Sequence, residues 1–161
     1  MHPINATKTE AFIACNLDHQ LALLFAKDYV QGVITARSEQ IVPIPNMSTC
    51  IIGLLQHRDK NYWLVDLSVM LGNSSLSTEK DFHQVILTTH EKQCLGLIVN
   101  QVEGIQYLDH EEIYPTILPN TSPLLKPYLK GYYQNDTNQD NPRVQYVLNP
   151  ESILSSSILH N

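Results

Sequence analysis

Short apolar runs alternate with polar breaks along most of the chain. Runs of about four to eight residues, bounded by turn-forming residues and spaced about ten residues apart, are typical of β-strands in barrels and sandwiches. The pattern predicts strands at residues 12–17, 21–25, 51–55, 62–67, 85–89, 94–99 and 144–148. It therefore predicts an all-β barrel or sandwich in which neighbouring runs form hairpins.

A few segments depart from this alternation. Residues 68–71 suit a short helix that ends at Gly72, and residues 151–159 suit a weak terminal helix. Periodicity alone does not decide whether residues 26–35 form a helical turn that leads into a strand. Residues 102–105 are expected to continue the strand at 94–99. The four prolines of residues 106–131 predict a long connection, and the polar residues 134–142 an exposed hairpin loop.

Polar stretches also suggest how the chain is organised. The loop at residues 73–81 is the best internal boundary, and it suggests two lobes of similar plan that meet near residue 75. We expect a flexible N-terminus at 1–10, one folded domain at 11–155 and a C-terminal tail at 156–161. Two prolines make residues 41–45, with the sequence IVPIP, an extended segment at an edge of a sheet or in a connection.

Charge and composition exclude several classes of function. The chain has 161 residues and a formal net charge of −6, which opposes binding to nucleic acid or to anionic lipid through a basic face. No run approaches the ~20 apolar residues of a membrane helix, and the first residues lack the layout of a secretory signal. We therefore expect a cytoplasmic protein that is not inserted in a membrane.

Candidate catalytic and metal-binding chemistry is sparse. Cys15, Cys50 and Cys94 each lie in an apolar run without a CxxC pair, so we expect buried, reduced thiols and no metal or cofactor. The seven histidines are scattered without metal-ligand spacing. Asp66 ends a strand before the short helix, where capping is the simplest role. The sequence predicts no catalytic residue.

Three blocks carry a family resemblance, and the longest is residues 41–72, IVPIPNMSTCIIGLLQHRDKNYWLVDLSVMLG. Within it, Gly53, Arg58, Asp66 and Leu67 match a pattern of the form G-V-I-N-L-R-G followed by P-V-I-D-L. The second block is GLIVNQVEGI at residues 96–105. The third is weaker, residues 129–131 followed by the strand at 144–148. In this order and spacing the chain resembles the CheW-like family of bacterial chemotaxis coupling proteins.

The resemblance implies a mainly β fold of two five-stranded, SH3-like barrels that share a core and carry short helical pieces. It implies a non-enzymatic adaptor that holds a histidine kinase of the CheA type against the cytoplasmic tips of methyl-accepting chemoreceptors. The domain at residues 11–155 would then be a CheW-like domain that is recruited to membrane-attached receptor arrays. The stimulus and the motility system, whether flagellar, pilus-based or phototactic, stay open.

The resemblance also assigns candidate binding residues. The receptor-binding set comprises Val30, Val33, Gly53 and Arg58. The kinase-binding set comprises Ile41, Val42 and Ile44. Each residue has a plainer alternative: core packing for the valines and isoleucines, a bulge or close-packing glycine, and an exposed ion pair between Arg58 and its neighbour Asp59.

Some positions depart from the family pattern. The family's N-L-R-G is Gln56-His57-Arg58-Asp59 here, so that Asp59 replaces a glycine. Asp59 would be strained if that position has positive φ, unless the turn is reshaped with Asp59 and Asn61 as turn formers. Gly32 replaces an acidic residue and Trp63 a proline. These changes lie in the region expected to meet partners and indicate a divergent member.

Three hypotheses compete for the function. The first is the bridging adaptor, with a variant in which the domain sequesters or regulates the kinase without bridging to a receptor. The second is a small β-barrel enzyme or ligand-binding protein, for which no phosphate loop, nucleophile elbow or carboxylate pair is present. The third is a nucleic-acid-binding barrel, which the acidic balance opposes.

Overall fold

The computed structural model describes residues 8–18, 21–76, 80–136 and 143–160. Two curved sheets account for most of them. The strands are β1 (Thr9–Asn16), β2 (Ala22–Ala26), β3 (Val30–Arg37), β4 (Ile41–Val42), β5 (Ile51–His57), β6 (Lys60–Asp66), β7 (Phe82–His90), β8 (Gln93–Val99), β9 (Gln101–Asp109), β10 (Leu129–Asn135) and β11 (Arg143–Leu148). Two short helices, α1 (Leu67–Met70) and α2 (Pro150–Leu154), follow β6 and β11.

The two sheets divide the chain differently from the sequence prediction. One sheet has the order β10-β11-β2-β1-β9 and is built from both ends of the chain. The other has the order β3-β7-β8-β6-β5-β4 and is built from its middle. Because strands before and after residue 75 share the second sheet, the predicted boundary there is wrong. The chain changes sheet between β2 and β3 and again between β8 and β9.

The predicted hairpins are confirmed, and the largest error concerns β9. The β1–β2, β5–β6 and β7–β8 pairs are antiparallel neighbours, as expected. Residues 102–105, however, do not continue β8, because β9 pairs with β1 of the other sheet. The strand also extends to Asp109, so the long connection begins later than residue 106. The expected loop at 134–142 lies mostly outside the described residues.

Local signals explain the helical pieces. Asp66 caps α1, because its carboxylate accepts the Val69 N–H, and Gly72 with φ 90° lies just beyond the helix end. Asn149 caps α2 in the same way. A 3-10 turn at Lys27–Tyr29 leads into β3, which is the helical turn before a strand that the sequence left open for residues 26–35. No helix among the described residues is long and apolar enough to cross a bilayer.

Three apolar clusters hold the sheets together. One cluster lies inside the five-stranded barrel and includes Phe12 and Leu24, and another lies inside the six-stranded barrel and includes Leu64. The third and largest joins both, with Leu23 and Leu97 among its fully buried members. Successive strand residues face opposite sides of a sheet, so β2 can serve its own barrel and the shared core at once. The prediction of two barrels with a common core is confirmed, although one sheet has six strands rather than the expected five, because the short strand β4 adds to its edge.

The cysteines are free, and two of the three are buried. Burial raises the pKa of the Cys15 thiol to about 12, with the nearby Glu103 adding to the effect. Burial also raises the pKa of Cys50. Both thiols are therefore protonated and unreactive at neutral pH, as expected for small apolar core residues. Cys94 differs from the prediction, because it is only partly buried.

Candidate partner-binding groove

A groove opens on the six-stranded barrel between strand β3 and the turn that joins β5 to β6. Its volume is about 380 Å³. Residues 31–34 form one wall, residues 57–60 form the other, and Tyr62 and Leu87 complete the lining. The groove therefore brings together two sequence-predicted receptor-binding residues, Val33 and Arg58, which lie far apart in the chain.

The first wall is an outer strand. Strand β3 has a sheet neighbour on one side only, strand β7. Its residues alternate between exposed and half-buried positions, and Val33 keeps 42% of its surface exposed. A Cβ built on Gly32 would meet no atom within 4 Å. The wall is thus apolar and shallow, which suits the close approach of a partner's backbone or side chains.

The second wall is a two-residue turn. His57 pairs with Lys60 across it, so only Arg58 and Asp59 form the loop. Arg58 takes a left-handed backbone with φ 53°, whereas Asp59 is not among the residues with positive φ. The expected strain therefore falls on the arginine rather than on Asp59, and Asn61 lies inside β6 rather than in the turn. A non-glycine residue in this conformation costs on the order of 1 kcal/mol.

Charge in the groove comes from the same turn. Arg58 and Lys60 are both exposed, and among the described residues Arg58 forms no salt bridge, with Asp59 or any other group. The plainer alternative of an Arg58–Asp59 ion pair is not observed. Burial raises the pKa of the Tyr62 hydroxyl, while the positive charge of Arg58 opposes that rise. An uncommitted guanidinium beside an apolar wall can bind a carboxylate or backbone carbonyls of a partner.

The other two receptor-binding candidates lie outside the lining of this groove. Val30 is half-buried and packs against the shared core. Gly53 is buried at a bulge of β5, where a Cβ would overlap the carbonyl oxygen of Val42. The close-packing role that the sequence left open for Gly53 is therefore the one observed. Receptor contact by Val30 and Gly53 stays a prediction.

The kinase-binding candidates lie on the opposite edge of the same sheet. Ile41 and Val42 form the two-residue strand β4, which pairs with β5 and ends the sheet. Val42 is 58% exposed, whereas Ile41 packs partly against the barrel interior and Ile44 is half-buried. The predicted edge segment is confirmed. Its contact with a kinase remains a prediction, with Val42 as the most accessible side chain.

Sequence patterns did not point to several residues of this region. Lys60, Tyr62 and Leu87 line the groove without belonging to the binding residues that the resemblance suggested. They become neighbours only through the pairing of β3 with β7 and of β5 with β6. At the same end of the sheet Tyr29 contacts His90, with ring centroids 5.7 Å apart, and donates a hydrogen bond to Glu151 at 3.1 Å. The family resemblance, which assigned Val33 and Arg58, was the signal that pointed to this surface.

The polar groups suited to catalysis have structural partners instead. The carboxylate of Asp66 accepts hydrogen bonds from Val69, Ser75 and Leu76, which confirms its role as a cap. Within the described ranges, His, Cys, Asp and Glu side chains form no cluster of three that would hold a metal ion.

Comparison with known proteins identifies the family. The protein-family model described as "CheW-like domain" matches residues 12–157 of the sequence. The chain belongs to the CheW-like family. Its fold is similar to the crystal structure of the scaffolding protein TtCheW from Thermoanaerobacter tengcongensis, with a TM-score of 0.72 and 20% identity over 88% of this chain and 90% of that one. No curated protein matches the sequence.

Family membership supports a scaffolding or adaptor role of the chemotaxis type, and the structural likeness supports the two-barrel fold. In this CheW-like chain the groove and the β4 edge are two separate surfaces of one barrel. Neither comparison assigns partners to them.

Proposed function

We propose that this protein is a non-enzymatic signalling adaptor that couples chemoreceptor-type proteins to a CheA-type histidine kinase. The observation that carries the proposal is the groove in which the exposed Val33 faces an arginine turn without an internal ion pair. A domain that only stabilised itself would not need a strained, uncommitted arginine at the tip of a hairpin. We propose that the adaptor serves a motility system, which can be flagellar, pilus-based or phototactic.

The receptor side of the proposal uses the groove. A helical receptor tip would lay its apolar face on Val33 and Ile34 and present a carboxylate or free carbonyl oxygens to Arg58. Arginine is enriched among the residues that dominate interface energies, and apolar contacts around it exclude water. Val30 and Gly53 would act by supporting the strands that bear these residues.

The kinase side uses the edge strand β4. An outer strand with unpaired backbone groups and an exposed Val42 can pair with, or pack against, an edge of another barrel. Because Ile41, Val42 and Ile44 are not among the residues that line the groove, we propose that the two partners use different side chains of one molecule. We propose a cytoplasmic location with recruitment to membrane-attached receptor arrays.

The runner-up is a domain that binds and sequesters the kinase without bridging to a receptor. It would use β4 in the same way and leave the groove empty. The exposed Val33 beside Arg58 favours the bridging form, because a sequestrant has no use for the groove.

Co-assembly tests the proposal. Purified protein is sedimented with the cognate receptor signalling fragment and the kinase, and ATP turnover is measured in the pellet. We expect a ternary complex with altered turnover, loss of receptor binding in Arg58→Glu, and loss of kinase binding in Val42→Glu. Thr35→Glu, on the exposed face of β3 outside the groove lining, serves as the matched control. Kinase binding without receptor binding would establish the sequestrant, and binding of neither would refute both forms.

A further inference from the structure

A second hollow lies in the five-stranded barrel, away from the groove. Its volume is about 190 Å³, and its walls include the buried residues Phe12 and Val147 and the half-buried Ile113 of the same apolar cluster. An apolar cavity of about 150 Å³ is large enough to bind benzene. The hollow therefore has room for one aromatic ring, although it is smaller than the ~300–1,000 Å³ of sites for drug-sized ligands.

The outer wall of the hollow is fixed to the barrel. Tyr114 and Tyr132 exchange backbone hydrogen bonds of 2.9 and 3.0 Å, and their rings stack with centroids 5.1 Å apart. Gly131 permits this contact, because a Cβ there would overlap the carbonyl oxygen of Tyr114. Ile113 and Pro115 flank Tyr114 and line the hollow. The hollow is thus held open by strand pairing rather than left by a loose loop.

The rim of the hollow carries three ionisable side chains. Glu10 and His110 contact each other at 3.2 Å. Lys130 is the extra residue of a β-bulge, between Leu129 and Gly131, and lines the hollow without an ion pair to any described residue. Bulges commonly redirect a side chain toward a site. The uncommitted charge at the mouth is therefore positive.

We propose that this hollow binds a small aromatic carboxylic acid. The ring lies against Phe12, Val147 and Ile113, and the carboxylate contacts the ammonium group of Lys130. The Glu10 carboxylate contacts the His110 ring at 3.2 Å, whereas no described acidic group forms an ion pair with Lys130, so the ligand carboxylate is placed at the lysine. This site is independent of the proposed adaptor function, because it involves neither the groove nor β4.

Titration of the ¹⁵N-labelled full-length protein tests the proposal with three ligands of similar size. For phenylacetate we expect saturable shifts in the amide signals of residues 12, 113 and 147, with a Kd of about 1 mM for a ligand of this size. Benzyl alcohol, which is neutral, should bind several-fold more weakly, and benzylamine, which is cationic, more weakly still. The absence of saturable shifts, or tighter binding of benzylamine, would overturn the proposal.

Matched lysine variants identify the carboxylate contact. Lys130→Gln should weaken phenylacetate binding about fivefold, as expected for an exposed ion pair. Lys126→Gln, an exposed lysine that does not line the hollow, should leave the Kd unchanged. Val147→Phe fills the hollow and should abolish binding of all three ligands. If Val147→Phe does not fold, the two lysine variants still test the proposal. An unchanged Kd in Lys130→Gln would contradict the proposed contact.

Discussion

The two barrels share one plan but differ in whether side chains connect strands that are not neighbours in the sheet. In the five-stranded barrel, side chains bridge β9 to β11: Gln106 and Gln145 exchange amide hydrogen bonds of 2.9 and 3.1 Å, and Arg143 pairs with Glu103 at 2.8 Å. In the six-stranded barrel, no comparable side-chain pair among the described residues joins β3 to the β5–β6 hairpin. The gap left there is the candidate groove.

The presence or absence of these side-chain bridges indicates where a partner can bind. Bridged strands use polar side chains internally, although β9 still exposes the apolar side chains of Ile105 and Tyr107. Unbridged strands keep both apolar and charged side chains available, as Val33 and Arg58 show. Outer strands are normally protected against unwanted pairing. An unprotected gap with a strained arginine at its rim is therefore a candidate binding surface.

The largest expected effect tests whether the two barrels form one cooperative unit. Leu23 and Leu24 are adjacent and fully buried, but Leu23 belongs to the shared core and Leu24 to the five-stranded barrel alone. Either residue changed to Ala should lower the free energy of unfolding by about 3 kcal/mol. Amide hydrogen exchange in β6 and β8 should accelerate more in Leu23→Ala. Equal acceleration in the two variants would show that the clusters are not energetically distinct.

Close-packed glycines give the next effect. Gly131→Ala in the five-stranded barrel and Gly53→Ala in the six-stranded barrel would each force a Cβ against a backbone carbonyl. We expect each to lower the free energy of unfolding by about 2–3 kcal/mol in chemical denaturation. Gly32→Ala is the matched control, because its Cβ would enter open space and should change stability by less than about 0.5 kcal/mol. A large loss in Gly32→Ala would mean that the groove wall is packed rather than open.

The arginine turn separates backbone strain from side-chain function. Arg58→Gly should stabilise the fold by about 1 kcal/mol relative to Arg58→Ala, because glycine accepts φ 53° without a Cβ penalty. Both variants should nevertheless lose partner binding by about tenfold or more, since both lack the guanidinium. Thermal unfolding and binding assays on the same samples check this. Restored binding in the glycine variant would assign the effect to the backbone.

The smallest effect is a pH dependence that arises in the six-stranded barrel. Burial lowers the pKa of His83 below its ordinary value of 6.5, with Lys80 adding to the effect and Asp66 opposing it. The imidazole also contacts the Ser38 hydroxyl at 2.9 Å. As pH falls below about 6.5, the unfolded chain binds a proton that the native histidine binds less readily, so stability declines. Unfolding curves from pH 7 to 5 should show a steeper decline than in His83→Gln; parallel curves would exclude this histidine.

Local signals made much of the fold predictable. Apolar runs and the polar breaks between them identified the β1–β2, β5–β6 and β7–β8 hairpins, and Asp66 with Gly72 marked the ends of α1. Sheet membership was not predictable in the same way. Nothing in the residues of β9 shows that it pairs with β1, and the parallel pairing of β2 with β11 joins opposite ends of the chain.

The candidate site was predictable only in part, for the same reason. Arg58 and Val33 follow from the family resemblance, and the structure places them in one groove. Lys60, Tyr62 and Leu87 enter it through strand pairing, which depends on contacts between distant segments. Gly53 was assigned to the receptor surface by resemblance, but its buried bulge is set by the close approach of Val42.

Mapping of the receptor contact tests the central claim most directly. The ¹⁵N-labelled protein is titrated with the cognate receptor signalling fragment, and shifts of backbone amide signals are followed across both barrels. We predict that the largest shifts cluster at residues 31–34 and 57–60, the two walls of the groove. Shifts confined to the five-stranded barrel, with the groove walls unchanged, would contradict the account.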